Sequence, residues 1–311
     1  MARKLRMESE DGVYHVINRG NFKSPIFRSV RAKLAFLQCL DEACTKTGWL
    51  VYAWCLMSNH YHLALATPRA NLVEGMCWLQ GTFANRFNRF RGEHGHVFQD
   101  RYKSLLVEPG EGLGRVCHYI HLNPVRARLC AVADLSKYQW TSLSWLYGAK
   151  TLPEWYDARP ALDHAGGLVP TAAGKKRYIE YLAWLMEDEP EKKRQQFDRM
   201  SQGWLIGTRE FSQAMAQEHR ELLARGPQLA SKLNTLREAA WEEALRAALR
   251  EAQRPNAQLR LAGKSVEWKL RLAAQLRRTT TATNRWLGIR LNLGSRDEVS
   301  RKLSAWLRLQ P

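Results

Sequence analysis

Two imidazoles one residue apart, in Trp54-Cys-Leu-Met-Ser-Asn-His60-Tyr61-His62-Leu-Ala-Leu, are the side chains of this 311-residue sequence whose types and spacing first suggest chemistry. On a strand, His60 and His62 project from one face roughly 7 Å apart, while Tyr61, Leu63 and Leu65 turn to the other. Two imidazoles on one face can pinch a divalent cation. An isolated His-x-His is more often a half-buried pair, so a third group is needed. The stretch Val116-Cys-His-Tyr119-Ile-His-Leu-Asn123-Pro-Val-Arg126 offers one. Tyr119 and Asn123 are four apart, neighbours on one helical face. The Asn123 amide oxygen would complete a two-imidazole, one-oxygen site open to phosphate oxygens, with Tyr119 facing the phosphate. A phenol of ordinary pKa about 10 needs a cation or a base beside it to act as a nucleophile, and its product would be a tyrosyl phosphate ester. The plain alternative is a helix tyrosine with a hydrogen-bonded hydroxyl. Pro124 lacks an N–H, which predicts a bend or restart in the helix.

The elements that must position these groups can be read from periodicity. Val13 to Asn18 reads as a strand ending in the turn Arg19-Gly20-Asn21, and 30–46 carries a helical stripe at Leu34, Leu37, Leu40 and Ala43. Trp49 to Leu56 and His60 to Ala66 read as paired strands. Asn71 reads as the cap of a helix through Met76, Leu79, Phe83 and Phe87 with a basic end at Arg86, Arg89 and Arg91. A strand at Tyr102 to Val107 and a helix from about Leu113 to Ala127 complete the order β-α-β-β-α-β-α, a split βαβ arrangement with one helix added. The expected fold class is α+β: a ferredoxin-like antiparallel sheet with helices, then an all-α C-terminal region with a helix-turn-helix. The expected boundaries are 1–133 for the first domain, 134–170 for an irregular Trp/Tyr-rich connector, and 171–311 for the helical region. In that region Ala239 to Ala252 carries Glu242 and Arg246 at i,i+4.

Composition narrows the partners. With 45% apolar and 10% aromatic residues the chain can bury cores, which excludes wholesale disorder. The formal net charge of +18 points to a polyanion, nucleic acid ahead of an acidic membrane face. From Arg225 onward there are 18 Lys and Arg against 7 Asp and Glu, so the tail is the more basic part. The six cysteines form no CxxC pair and read as reduced core residues of a cytoplasmic protein. Residues 48–68 carry no charge, but Ser58, Asn59, His60 and His62 at their centre favour a β-hairpin over a membrane span. The N-terminal Met-Ala-Arg-Lys-Leu-Arg runs into Glu8, Glu10 and Asp11 with no apolar segment of a secretory signal.

Four stretches in order, Tyr14-His-Val-Ile-Asn-Arg-Gly20, Met57-Ser-Asn-His-Tyr-His62, Val97-Phe-Gln-Asp-Arg-Tyr-Lys103 and Tyr119-Ile-His-Leu-Asn-Pro-Val-Arg-Ala127, resemble the single-tyrosine HUH (IS200-like) transposases, specifically the REP-associated tyrosine transposases. The resemblance covers residues 13–130. It implies that His60 and His62 bind Mg²⁺ or Mn²⁺, that Tyr119 is the nucleophile, and that Asn123 stands where the wider superfamily often has Gln as third ligand. It further implies cleavage and rejoining of single-stranded DNA beside hairpins through a 5′-phosphotyrosine, in a bacterial cytoplasm and associated with the nucleoid. Ser58 replaces a common Pro, Tyr61 is larger than the usual residue, and Arg128 stands where Gly is common.

Arg19, Arg101, Lys103 and Arg126 are candidate phosphate contacts, and Phe98, Tyr102 and Trp49 candidate stacking platforms. At about 281–308, Asn284 to Asn292, a Leu293-Gly294 turn and the capping box Ser295-Arg-Asp-Glu298 read as a helix-turn-helix, with Val299, Leu303 and Trp306 inward and Arg296, Arg301 and Lys302 outward toward DNA. A monomer is expected, since the added helices can supply contacts otherwise given by a second subunit. The alternatives are an idle DNA-binding regulator descended from such an enzyme, and a metal phosphodiesterase for which Tyr119 is dispensable.

Overall fold

The computed structural model describes residues 8–148, 151–195, 197–224, 238 and 241–308, without the side chains of 218–224. The chain forms two compact units, Met1–His219 and Arg220–Pro311. In the first, β1 (Gly12–Arg19) leads through a short 3₁₀ turn to α1 (Val30–Thr47), β2 (Leu50–Leu56), β3 (His60–Thr67), α2 (Leu72–Arg91), β4 (Lys103–Val107) and α3 (Glu111–Arg126). That is the order read from periodicity. The uncharged 48–68 stretch is the β2–β3 hairpin, and no helix among the described residues is long and apolar enough to cross a membrane.

After α3 come α4 (Leu143–Tyr147), α5 (Arg159–His164), α6 (Ala172–Glu187), α7 (Glu189–Arg194), β5 (Leu205–Ile206) and α8 (Arg209–Ala224). The sheet order is β2-β3-β1-β4-β5. Its first four strands pair antiparallel, but β5 pairs parallel to β4, so the sheet is mixed where a wholly antiparallel one was expected. Two residues are too short to carry a readable alternation.

Strand alternation divides the core in two. Tyr14, Val16, Tyr61, Leu63 and Leu65 pack under α1 and α2 with Phe27, Phe36 and Phe83. Val13, Ala64, Ala66, Leu105 and Val107 pack under α3. Each such fully buried large side chain contributes about 1.5–3 kcal/mol. A Cβ on Gly114 would lie 2.2 Å from the His164 Cβ, so glycine lets α3 seat against α5.

Several local expectations are corrected. Residues 134–170 hold α4 and α5, with Leu143, Leu146, Ala161 and Leu162 buried in the α3-side core, so this stretch is domain body rather than irregular connector. Pro and Gly set the turns there, and Trp and Tyr fill the core. Asn71 does not cap α2: its side chain accepts from Trp49 Nε1 at 3.0 Å and donates to the Thr47 carbonyl at 2.8 Å, while Glu8 accepts from Val73 N–H. Trp49 and Tyr102 are buried and present no face to a base. Cys77 is exposed and Cys130 half-buried, so only four cysteines are core residues. α3 runs through Pro124 to Arg126 without a restart.

In the second unit a helix over 241–251 (α9) is followed by α10 (Gln258–Leu261), α11 (Glu267–Thr279), α12 (Asn284–Arg290) and α13 (Arg296–Arg308). Their core includes Leu245, Leu272, Leu287, Val299 and Leu303, with Trp306 packed against it. Ser295 and Glu298 exchange both capping-box bonds, at 2.6 and 3.3 Å. Glu242 lies 3.9 Å from Arg246 but is gripped bidentately by Arg290, which holds its carboxyl below the usual range. The tight pair is the one across the fold.

Candidate active site

In the β1–β3 register Ile17 faces His62 and Arg19 faces His60, and β4 sets Lys103 opposite Ile17. The alternation therefore places His15, Arg19, His60, His62 and Lys103 on the α3 face. Tyr119 reaches that face from the helix above. Its ring centroid is 5.8 Å from that of His62 and 5.8 Å from that of His15, both edge-on. The His60 and His62 rings are 5.2 Å apart and nearly perpendicular, at 79°.

Hydrogen bonding fixes the tautomers. His15 Nδ1 meets only the Met200 carbonyl, at 2.8 Å, so it carries the proton and leaves Nε2 as an acceptor. His62 Nδ1, 3.0 Å from that Nε2, must then donate, which frees the His62 Nε2 lone pair. His60 Nδ1 donates to Asn59 Oδ1 at 2.7 Å and likewise frees Nε2. The rings stay neutral. Burial pushes His15 down to about 4, helped by Lys103 and opposed by the Met200 carbonyl. Burial, then His15, His60 and Arg126, hold His62 well below its ordinary value. Burial and the Arg19 guanidinium lower His60.

These residues fit a divalent ion. Among the described residues no three His, Cys, Asp or Glu side chains are placed to hold one. The candidate donors are instead two neutral imidazoles and, as the sequence reading expects, the Asn123 amide. Two rings 5.2 Å apart suit one cation with metal–nitrogen distances of about 2.1 Å. Asn123, one turn beyond Tyr119 and 7% exposed, has its amide nitrogen buried with no hydrogen-bond partner. Turning that amide over would present an oxygen in the same place.

One of the four candidate phosphate-binding cations lies directly against the tyrosine. The Arg126 guanidinium carbon lies 4.4 Å from the Tyr119 ring centroid, and Arg19 donates to Gln99 at 2.6 Å on the edge nearest His60. Arg101 is exposed. Lys103 donates to the Ser201 carbonyl.

The segment from Phe197 to Ser201 covers the tyrosine. Its hydroxyl is 2.9 Å from Ser201 Oγ, Phe197 packs edge-on at 5.7 Å, and Tyr119 is 6% exposed. Hydrogen bonds of β5 and its neighbours to Leu106 and Glu108 pin the end of this segment to the sheet. Neither His15 nor this cover was singled out in the sequence. The alternation of β1 was a usable signal for His15, on the same face as Val13 and Ile17. For a cover 82 residues from Tyr119 there was none.

α3 itself is anchored by a buried polar network. The Tyr178 hydroxyl lies 2.9 Å from His118 Nδ1 and 2.8 Å from His121 Nδ1, His118 Nε2 is 3.0 Å from His164 Nδ1, and His121 Nε2 is 2.9 Å from Ser142 Oγ. In the second unit Arg296 and Arg301 are exposed on α13. Lys302 is half-buried and caps the Leu293 carbonyl at 2.7 Å rather than pointing outward.

An α+β domain with paired histidines on a central strand and a tyrosine on the helix above is the class of protein this geometry defines. Residues 9–123 match the family described as Transposase IS200 like. That stretch, from just before β1 to Asn123, is similar to the IS200-like transposases, a class that binds and transposes DNA and generally depends on a divalent metal. Among solved structures, a REP-associated tyrosine transposase bound to a REP hairpin is 13% identical, with 51% of this chain and 93% of that chain covered and a TM-score of 0.40. A structure described as a transposase of Deinococcus radiodurans R1 is 18% identical, with 41% and 92% covered and a TM-score of 0.28. No curated protein matches the chain.

Proposed function

We propose that the protein is a REP-associated type of tyrosine transposase that cuts and rejoins single-stranded DNA beside hairpins. The observation that carries this reading is the contact of Tyr119 with His62, both in one chain and under Arg126. His60, His62 and Asn123 would hold Mg²⁺ or Mn²⁺, which when bound polarises the phosphoryl oxygens and offsets the charge that grows on them. Tyr119 Oη attacks phosphorus, the bond to the 3′-oxygen breaks, and a 5′-phosphotyrosine and a 3′-hydroxyl result. The phenolic proton is lost to solvent and the leaving oxygen gains one, so the step is balanced. Arg126 and Arg19 steady the phosphodiester from the edges, with Arg101 and Lys103 along the adjoining strand. Resealing is the reverse attack by a 3′-hydroxyl.

Because one chain brings both halves of the site together, the reading requires no second subunit. Arg296 and Arg301 on α13 are proposed to track the phosphates of a duplex stem.

The test is incubation of the full chain with a labelled hairpin carrying single-stranded flanks and Mn²⁺, followed by denaturing electrophoresis. A protein–DNA adduct in the wild type and none in Tyr119→Phe, with hairpin binding kept, is the expected result. Binding without an adduct in the wild type would favour the idle regulator, and cleavage surviving in Tyr119→Phe the phosphodiesterase.

A further inference from the structure

A groove of about 520 Å³ lies between the first turns of α1 and the last turns of α2, in the helical layer on the sheet face away from Tyr119. Its lining includes Arg28, Arg31, Arg86, Arg91, Phe87 and Phe90, and no Asp or Glu. Glu42 and Glu93 reach in to pair with Arg86 and Arg91. Among the described residues no carboxylate lies within ion-pair distance of Arg28 or Arg31, and both are exposed. The Arg31 guanidinium sits 4.0 Å over the ring of Phe90, which is itself 58% exposed. Unpaired guanidinium groups beside an exposed aromatic face suit alternating phosphates and bases, and suit a neutral or cationic peptide poorly.

The rim of the groove is tied to the loop that carries the histidines. Phe27 N–H donates to the Ser58 carbonyl at 2.8 Å, Gly20 N–H to the Asn59 carbonyl at 2.7 Å, and the Asn59 amide to the Lys23 carbonyl at 3.2 Å. In the 3₁₀ turn that follows β1 stands Phe22, 92% exposed, and both it and Lys23 hold left-handed backbone, with φ of 51° and 57°. That conformation costs about 1–2 kcal/mol per residue for side chains of this kind. It keeps an aromatic ring in solvent beside a lysine, at the end of the sheet where β1 finishes and β3 begins. The segment that carries Phe22 and Lys23 is thus bonded at both ends to the Ser58-Asn59 turn before His60, and runs on along the chain to Arg28 and Arg31 at the groove.

We infer that this groove binds the unpaired DNA flanking the scissile phosphate, with bases stacked on Phe22 and Phe90 and phosphates held by Arg28 and Arg31. The inference rests on the reading of the domain as a single-strand transferase, and it assigns the α1–α2 face the task of holding the flank while Tyr119 reacts on the other face.

The experiment measures binding by fluorescence anisotropy of two labelled probes, an unstructured thymidine 12-mer and a blunt hairpin with no flank, to the full chain and to the double variant Arg31→Ala, Phe90→Ala. The three substituted side chains, Arg28, Arg31 and Phe90, are exposed, and a thermal melt checks that the fold is kept. The expected result is about tenfold or greater loss for the 12-mer, the scale of one stacked base, with the blunt hairpin unchanged. Arg28→Glu should by itself lower the salt dependence for the 12-mer by roughly one phosphate contact, a slope change of about 0.7. Equal 12-mer affinity in wild type and both variants overturns the inference, as does equal loss for both probes. Failure of the proposed function shows separately, as absence of the Tyr119 adduct in the wild type on a flanked hairpin.

Discussion

Replacing His15 with phenylalanine removes the one acceptor that sets the proton on His62. His15 is fully buried, takes the Met200 carbonyl on one nitrogen and receives His62 Nδ1–H on the other, at 2.8 and 3.0 Å. Phenylalanine fills the space and offers neither bond. The His62 ring is then free to turn over or carry its proton on Nε2, the nitrogen proposed to meet a cation. Groups that hold the far nitrogen of a metal-binding imidazole are typically worth 10–100-fold in affinity, about 1.4–2.7 kcal/mol at 1.36 kcal/mol per decade. The Met200 carbonyl and His62 Nδ1–H are also left unpaired in the core, at about 1–3 kcal/mol each. Calorimetric titration with Mn²⁺ should show the loss of affinity, and a thermal melt the loss of stability. His15→Gln, whose amide can both donate and accept, should recover part of each. Wild-type Mn²⁺ affinity in a folded His15→Phe protein would refute the relay from Met200 through His15 to His62.

Three further outcomes are expected. Ser201→Ala, which frees the Tyr119 hydroxyl from a bond worth about 0.5–1.5 kcal/mol, should speed the initial rate of adduct formation by about two- to tenfold; a slower rate would mean that Ser201 assists the reaction instead of shielding the tyrosine. His118 is buried and held neutral, mainly by desolvation and then by His164 and His121, so the unfolded chain takes up its proton as pH falls below about 6.5 while the folded chain does not. Stability should therefore be full above pH 6.5 and fall below it by about 1.4 kcal/mol per pH unit from this residue. Denaturant titrations from pH 7 to 5 should show a shallower decline in His118→Gln, and an unchanged slope would show that the ring is protonated in the folded state. In the second unit Lys269 is buried and donates to the carbonyls of Leu259 and Ala262 at 2.6 and 2.8 Å; Lys269→Met should cost about 1–3 kcal/mol for each carbonyl left unpaired, read as a lower melting temperature.

The order of strands and helices through Arg126 was legible because each element carries its own period: alternation in β1 to β4, and stripes of apolar residues in α1 to α3. The histidine pair and the tyrosine were legible for the same reason, since alternation and the i,i+4 spacing of Tyr119 and Asn123 fix their faces without tertiary knowledge. What was not legible depends on distant partners. Asn71 has the residue type of a helix cap, but Trp49 and Thr47 compete for its amide and win it. Trp49 and Tyr102 have the type of stacking residues, but burial removes their faces. The Phe197 to Ser201 cover and β5 depend on contacts with residues about 80 to 185 positions away, which no local pattern records.

The anchoring of α3 has a mechanical consequence. Its residues from Gly112 to Pro124 are almost wholly enclosed, and His118 and His121 bolt it to Tyr178, His164 and Ser142. Sliding the helix would tear several polar contacts out of a dry interior at once, whereas lifting the short Phe197 to Ser201 strip breaks fewer: the Met200 carbonyl's bond to buried His15, and those of Ser201 to Tyr119 and Lys103. For the proposed reaction of the phenol with a DNA strand, the strip above it is the part with less to break, and the helix beneath would serve as a fixed anvil.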